Sequence, residues 1–363
     1  MAKYILILFL PPVAGFLAKL FNGKRPELIL GKEETRTKVI WFIISAVPLI
    51  IFAANRGHIG DTSAYEAAFG YMPSELSDFS DYASTVTKDK LFYYTSALIK
   101  IFITENPIVY FGIIAAFQAF ALLSVYRKYS EDFFLSYFLF LVSTDYISWM
   151  FNGIRQFVAV CLTFSCFGLV LRKKYILAIL IIILATFFHG TAFLVIPFIF
   201  ISQGKAWNKK TIAFIFGVII VVAFIDQFTD ILDDLLTDTQ YESVVTDWTS
   251  WDDDGTNVLR VLVYAVPTLL SLYGKKHIDS NNDPVINFCT NMSIVTSGIY
   301  VISIFTSGIF IGRLPIYFSL YNYILLPWEI NHIFSGNSAK IVKSAMIIFY
   351  MIYYFLIVIY QFD

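Results

Sequence analysis

The chain has 363 residues, of which 58% are hydrophobic and 15% charged, with a formal net charge of -1. An ordinary soluble domain is roughly 25% charged, so this chain has too few charges to coat a water-exposed surface. Its basic residues sit in short clusters and form no continuous stripe, so no nucleic-acid partner is expected and the lipid bilayer is the expected surrounding.

Continuous apolar runs point to α-helices rather than a barrel, whose segments of about 10 residues alternate lipid-facing and lumen-facing side chains. The first run, residues 4–20, has no small-residue cleavage site behind it and reads as a retained helix, not a signal peptide. Further spans are predicted near 38–54, 107–126, 133–150, 154–171, 175–189, 190–202, 211–225, 258–273, 285–306, 313–333 and 341–361. That makes about 12 transmembrane helices in one all-α, multi-spanning membrane domain covering 1–363. Short loops rich in Lys and Arg face the cytoplasm. Six qualify: Lys24 to Lys38, Arg127 with Lys128, Arg172 to Lys174, Lys205 to Lys210, Lys275 with Lys276, and Lys340 with Lys343.

This threading leaves two outer excursions, 55–106 and 226–257, and puts both termini outside. Leu91 to Thr104 does not fit as a crossing and is expected to be a re-entrant or interfacial helix within the first excursion. The second is acidic, and Asp252 to Asp254 within it read as a solvated face rather than a metal site. Cys161, Cys166 and Cys289 lie in apolar segments and support neither disulfides nor zinc. No metal or cofactor is expected, and no nucleotide-binding motif is present.

Outer helix ends should be poor in arginine, yet Arg56, Arg155, Arg260 and Arg313 occupy them. Arginine presents five donors in a rigid fork that matches phosphate oxygens in pairs, so a set of arginines suits a diphosphate. The alternative for each is snorkelling to a headgroup or pairing with an acid. Asn152, Gly153 and Gln156 flank Arg155, while Gly308, Gly312 and Tyr317 surround Arg313. His189 precedes a Gly190-Thr191 turn and could equally be a core histidine. Asp61 reads as the N-cap of a short helix, which is compatible with a catalytic role.

In order, the motifs are Arg56…Gly60-Asp61…Tyr65, Asn152-Gly153-Ile154-Arg155-Gln156, Phe188-His189-Gly190, Arg260…Pro267 and Arg313…Tyr317. That order resembles the EpsG-like group of Wzy-type polysaccharide polymerases over about residues 50 to 330. The resemblance implies a bacterial plasma-membrane glycosyltransferase of GT-C-like architecture. Such an enzyme polymerises undecaprenyl-diphosphate-linked oligosaccharide repeat units outside the membrane, for capsule, exopolysaccharide or O-antigen. A flippase and a chain-length regulator would be its partners.

On that reading Arg155, Arg260 and Arg313, with Arg56 as a fourth, stabilise the diphosphate leaving group. Asp61 or His189 is the general base that activates a sugar hydroxyl, with Asp61 preferred. Tyr65, Gln156, Tyr317 and Asn152 support the sugar or the site, and Trp248 is among the aromatics placed near the outer face. Three other classes are weighed. A lipid-linked sugar flippase or transporter should show inverted repeats and midplane charge, whereas here the charge gathers at one face. An O-acyltransferase would not need the arginines, and an O-antigen ligase would differ only in its acceptor.

Overall fold

The structure is a computed structural model that describes residues 2–236 and 255–362. With 77% of residues helical it is nearly all-α. One departure is an antiparallel hairpin of strands Lys24–Ile29 and Lys32–Thr37. Leu30 and Gly31 turn it with φ of 51° and 83°, the paired positive values that two-residue hairpin turns demand. Apolar patterning could not reveal a hairpin built from charged residues.

Among the described residues five helices are long and apolar enough to cross a membrane: Lys3–Leu20, Pro107–Tyr129, Ile154–Leu171, Pro284–Ile304 and Gly336–Ile359. Three bent pairs would raise the number to eight, not the twelve expected. The apolar runs are interrupted where the sequence reading drew them whole. Phe133–Val142 meets the π-helical turn Tyr146–Asn152 at 74°, and Lys209–Ala223 meets the next helix at 95°. Tyr175–Thr186 has 12 residues, or about 18 Å at 1.5 Å per residue, against a hydrocarbon core of about 30 Å. The second excursion begins as a helix, Ile225–Leu236. Trp248 and Asp252 to Asp254 lie outside the described residues.

The chain forms two compact units, residues 1–195 with 340–363, and residues 196–339. In the first, Val39–Ala54 and Ile154–Ser165 pack on the long helix Pro107–Tyr129. The hairpin is pinned to the end of that helix. Arg127 donates from Nη1 and Nη2 to the two Glu27 carboxylate oxygens at 2.7 and 3.2 Å, and Arg36 Nε donates to the Lys128 carbonyl at 2.8 Å. Two basic residues that mark a loop in sequence are thus structural ties.

Helix Lys90–Phe102 buries Phe92, Ala97 and Ile99 in a cluster with Phe69, Tyr110 and Phe111. Its Lys100 ammonium donates to the Gly70 and Met72 carbonyls, closing the C-terminal end of helix Thr62–Tyr71.

The second unit is organised on Pro284–Ile304, which carries a polar seam. Asn291 Nδ2 donates to the Ser202 and Lys205 carbonyls, and its Oδ1 accepts from the Trp207 backbone N–H. Thr268 and Ser293 hydroxyls meet at 2.7 Å. Buried polar groups paired in this way fix neighbouring segments where the hydrophobic contrast with lipid is small.

Candidate active site

The site begins with a loop held from beneath. Residues 55–61 leave helix Val39–Ala54 and must turn back onto helix Thr62–Tyr71. Arg56 makes the turn rigid. Its Nε donates to the Ala53 carbonyl and its Nη1 to the Met150 carbonyl, both at 2.7 Å. The guanidinium lies over the rings of Phe111 and Phe151, 4.3 and 5.1 Å from their centroids. Only 2% of the residue is exposed. Burial pulls its pKa down to about 10, which still leaves it charged at neutral pH. Arg56, expected from its position in the chain to meet a diphosphate, braces the loop from inside.

Gly60 follows at φ +53°, and a Cβ there would lie 2.5 Å from Asn152 Oδ1. That same oxygen accepts the Asp61 backbone N–H at 2.9 Å. Asn152 is thus the strut between the π-helical turn and the loop, and only glycine lets the two approach so closely. Asp61 is the N-cap residue of helix Thr62–Tyr71, as expected, its carbonyl accepting the Tyr65 N–H at 3.0 Å, but its side chain makes no capping bond. Thr62 instead donates its hydroxyl to the Ile59 carbonyl at 2.6 Å. The Asp61 carboxylate is exposed, one helical turn from Tyr65.

Arg155 opens the helix after Gly153, and its fork is partly engaged. Nη1 donates to Asp89 Oδ2 at 2.8 Å and Nε donates to the Tyr65 hydroxyl at 3.3 Å. The guanidinium lies 5.7 Å from the Tyr93 ring centroid. Burial pushes the Tyr65 hydroxyl above its ordinary pKa, so it accepts from Arg155 as a neutral phenol. The Arg155 side chain remains 27% exposed. His189 is buried in the turn after Tyr175–Thr186, with Nδ1 3.3 Å from the same Asp89 Oδ2. The Leu91 N–H donates to the Phe187 carbonyl at 3.0 Å, so the main chain itself fixes the approach of these two segments.

Arg260 and Arg313 belong to the second unit. Arg260 lies in the first turn of helix Val258–Tyr273, half-buried, and Arg313 ends the short helical turn Ile311–Arg313, exposed. The two segments meet: Thr256 accepts no Cβ at Gly312 against its hydroxyl, and its N–H donates to the Ser303 carbonyl at 2.9 Å. Tyr317 is buried four residues after Arg313.

A family model described as the EpsG family matches residues 39–363. The chain belongs to the EpsG family. No curated protein and no solved structure matches it. Membership gives this EpsG-family chain a polysaccharide-polymerase-like function in a membrane setting, consistent with its long apolar helices.

In the first unit of the EpsG-family chain, Asp61, Tyr65, Asn152, Arg155 and His189 gather around one loop cluster. Gln156 points into the buried interior, 4% exposed. The residue that sequence reasoning missed is Asp89. Between Lys88 and Lys90 it looks like a solvated helix start, and only its aim toward Arg155 and His189 distinguishes it. Among the described residues no group of three His, Cys, Asp or Glu side chains is placed to hold a metal ion.

Proposed function

We propose that the chain is a Wzy-type polymerase of GT-C-like architecture acting at the outer face of a bacterial plasma membrane. It transfers a glycan from undecaprenyl diphosphate to a second lipid-linked repeat unit, for capsule, exopolysaccharide or O-antigen. The acceptor hydroxyl oxygen attacks the anomeric carbon and its proton passes to a base. The bond from that carbon to the diphosphate breaks, and the electron pair leaves with the lipid diphosphate.

The observation that carries the reading is Arg155. Two of its nitrogens are fixed by Asp89 and Tyr65 while the side chain stays 27% exposed. A guanidinium already oriented by its neighbours can meet a developing phosphate charge with little reorganisation. Asp61, with an exposed carboxylate, and His189 are the two candidates for the base. Arg260 and Arg313 are assigned to phosphate oxygens of a lipid-linked substrate, and Tyr317 to the support of the sugar or the site. Export partners, a flippase and a chain-length regulator, follow from the same reading.

The test supplies purified protein in nanodiscs with its host's undecaprenyl-diphosphate repeat unit and resolves the lipid-linked saccharides on a gel. A ladder from wild type, lost in Arg155→Ala and in Arg155→Lys, supports the reading, because lysine cannot reproduce a bidentate fork. Unextended single repeats from well-folded wild type would refute it.

A further inference from the structure

We infer that Asp89 is a positioning residue that fixes the tautomer of His189 and so makes His189 Nε2, not Asp61, the general base. This inference rests on the polymerase reading of the site.

Asp89 stands where a helix N-cap belongs. Its carbonyl accepts the Phe92 N–H at 3.0 Å, as an N-cap carbonyl should, yet its side chain makes no capping bond. An aspartate at that position ordinarily uses its carboxylate on the first backbone N–H groups. Here the carboxylate is turned away, and the backbone sits in the left-handed region, φ 49° and ψ 39°. Aspartate is among the few non-glycine residues that adopt that conformation.

The carboxylate is engaged on the other side instead. The side chain is 6% exposed, and one oxygen, Oδ2, serves both Arg155 Nη1 at 2.8 Å and His189 Nδ1 at 3.3 Å. The backbone bond from Leu91 to Phe187 aligns the segments independently of any side chain. The juxtaposition is therefore built into the main chain.

An ionised carboxylate can only accept hydrogen bonds. With Arg155 Nη1 at 2.8 Å from Oδ2, the carboxylate is one half of an ion pair. His189 must then donate from Nδ1, which places the imidazole lone pair on Nε2, where it can take the proton of an attacking hydroxyl. When that proton arrives, Asp89 stabilises the imidazolium without being protonated itself, the logic of a base oriented by a carboxylate. Among the described residues the Asp61 carboxylate has no comparable orienting hydrogen bond. The charged and titratable groups around the pair are Arg155 from its helix, Tyr65 with Asp61 from helix Thr62–Tyr71, and Lys88, Lys90 and Tyr93 from the Asp89 segment.

The experiment has two readouts on full-length protein in nanodiscs. The first is the tautomer of His189, read from ¹⁵N-labelled imidazole shifts and assigned by removing one of the chain's four histidines at a time. Wild type should show an Nδ1–H imidazole, and Asp89→Asn should lose that signature. Asparagine tolerates the left-handed backbone, so the loop is kept.

The second is polymerisation of the lipid-linked repeat unit. Asp89→Asn should lower kcat about 100-fold or more, within the range that general-base catalysis supplies, while KM changes little. In a His189→Gln background Asp89→Asn should add no further loss in kcat, since Asp89 acts through His189.

An Nε2–H tautomer in wild type, or full additivity of the two substitutions, would overturn the inference. A wild type that makes no ladder would instead refute the polymerase reading, and the tautomer measurement would still decide the role of Asp89. If Asp89→Asn does not fold, the wild-type tautomer and His189→Gln decide it: His189→Gln should lose turnover, and a His189→Gln protein that turns over like wild type refutes the inference.

Discussion

Replacing Arg56 with methionine separates bracing from substrate binding. Methionine fills the aliphatic path of the side chain, so the loss comes from the guanidinium. Two hydrogen bonds from a charged group, each at 2.7 Å, end on the Ala53 and Met150 carbonyls; such bonds are worth about 1.5–3 kcal/mol each. Stacking over Phe111 at 4.3 Å adds about 2 kcal/mol for a desolvated cation. Simple addition gives roughly 5–8 kcal/mol, but the same substitution removes the cost of burying a charge, so the net destabilisation should be about 3 kcal/mol.

The assay is unfolding in nanodiscs followed by tryptophan fluorescence, alongside turnover per folded molecule. Arg56→Met should unfold markedly earlier, and the fraction that remains folded should polymerise at a rate near that of wild type. Unchanged unfolding with abolished turnover would refute the bracing argument and return Arg56 to the substrate.

Gly60→Ala should loosen the Asn152 strut, since its Cβ would sit 2.5 Å from Asn152 Oδ1 at a positive φ; faster amide exchange at Asp61 is the readout, and unchanged exchange would contradict it. The Arg127 guanidinium, with burial opposing it, holds Glu27 below its ordinary pKa of 4.5. A depressed carboxylate contributes stability that is present above the unfolded value and lost as pH falls through the folded one. Hairpin amide protection should therefore decline below about pH 4.5 in wild type, while Glu27→Gln should show weaker protection that varies less with pH. Glu329 is fully buried, and among the described residues neither carboxylate oxygen has a hydrogen-bond partner. Glu329→Met should raise the unfolding midpoint, worth about 1–3 kcal/mol, and a fall would mean that the carboxylate has a stabilising role.

The sequence made the apolar character, the helical class and the family motifs legible because each is written in contiguous residues. The number of crossings was not, because a run such as 133–150 is equally apolar whether straight or bent by 74° at Ser143 to Asp145. The hairpin escaped for the opposite reason: its strands are charged, and its order comes from Arg127 and Arg36 acting across about 90 residues or more of chain. Arg155 and His189 could be picked out as chemistry-bearing groups at helix ends, whereas Asp89 needed the fold to bring it to both. Arg56 was picked out as a residue type suited to phosphate, and its bonds to two of the protein's own carbonyls could be seen only in the fold.

The π-helical turn at Tyr146–Asn152 makes length, more than side-chain identity, the property this stretch has to keep. A wide turn holds one residue more than a regular α-helical turn would. Deleting a single residue would give a locally more regular helix, yet it would swing Asn152 away from Asp61 and rotate Arg155 off Asp89. Substitutions that preserve the seven residues of the turn are the changes open to it, and a deletion that improves local hydrogen bonding is closed.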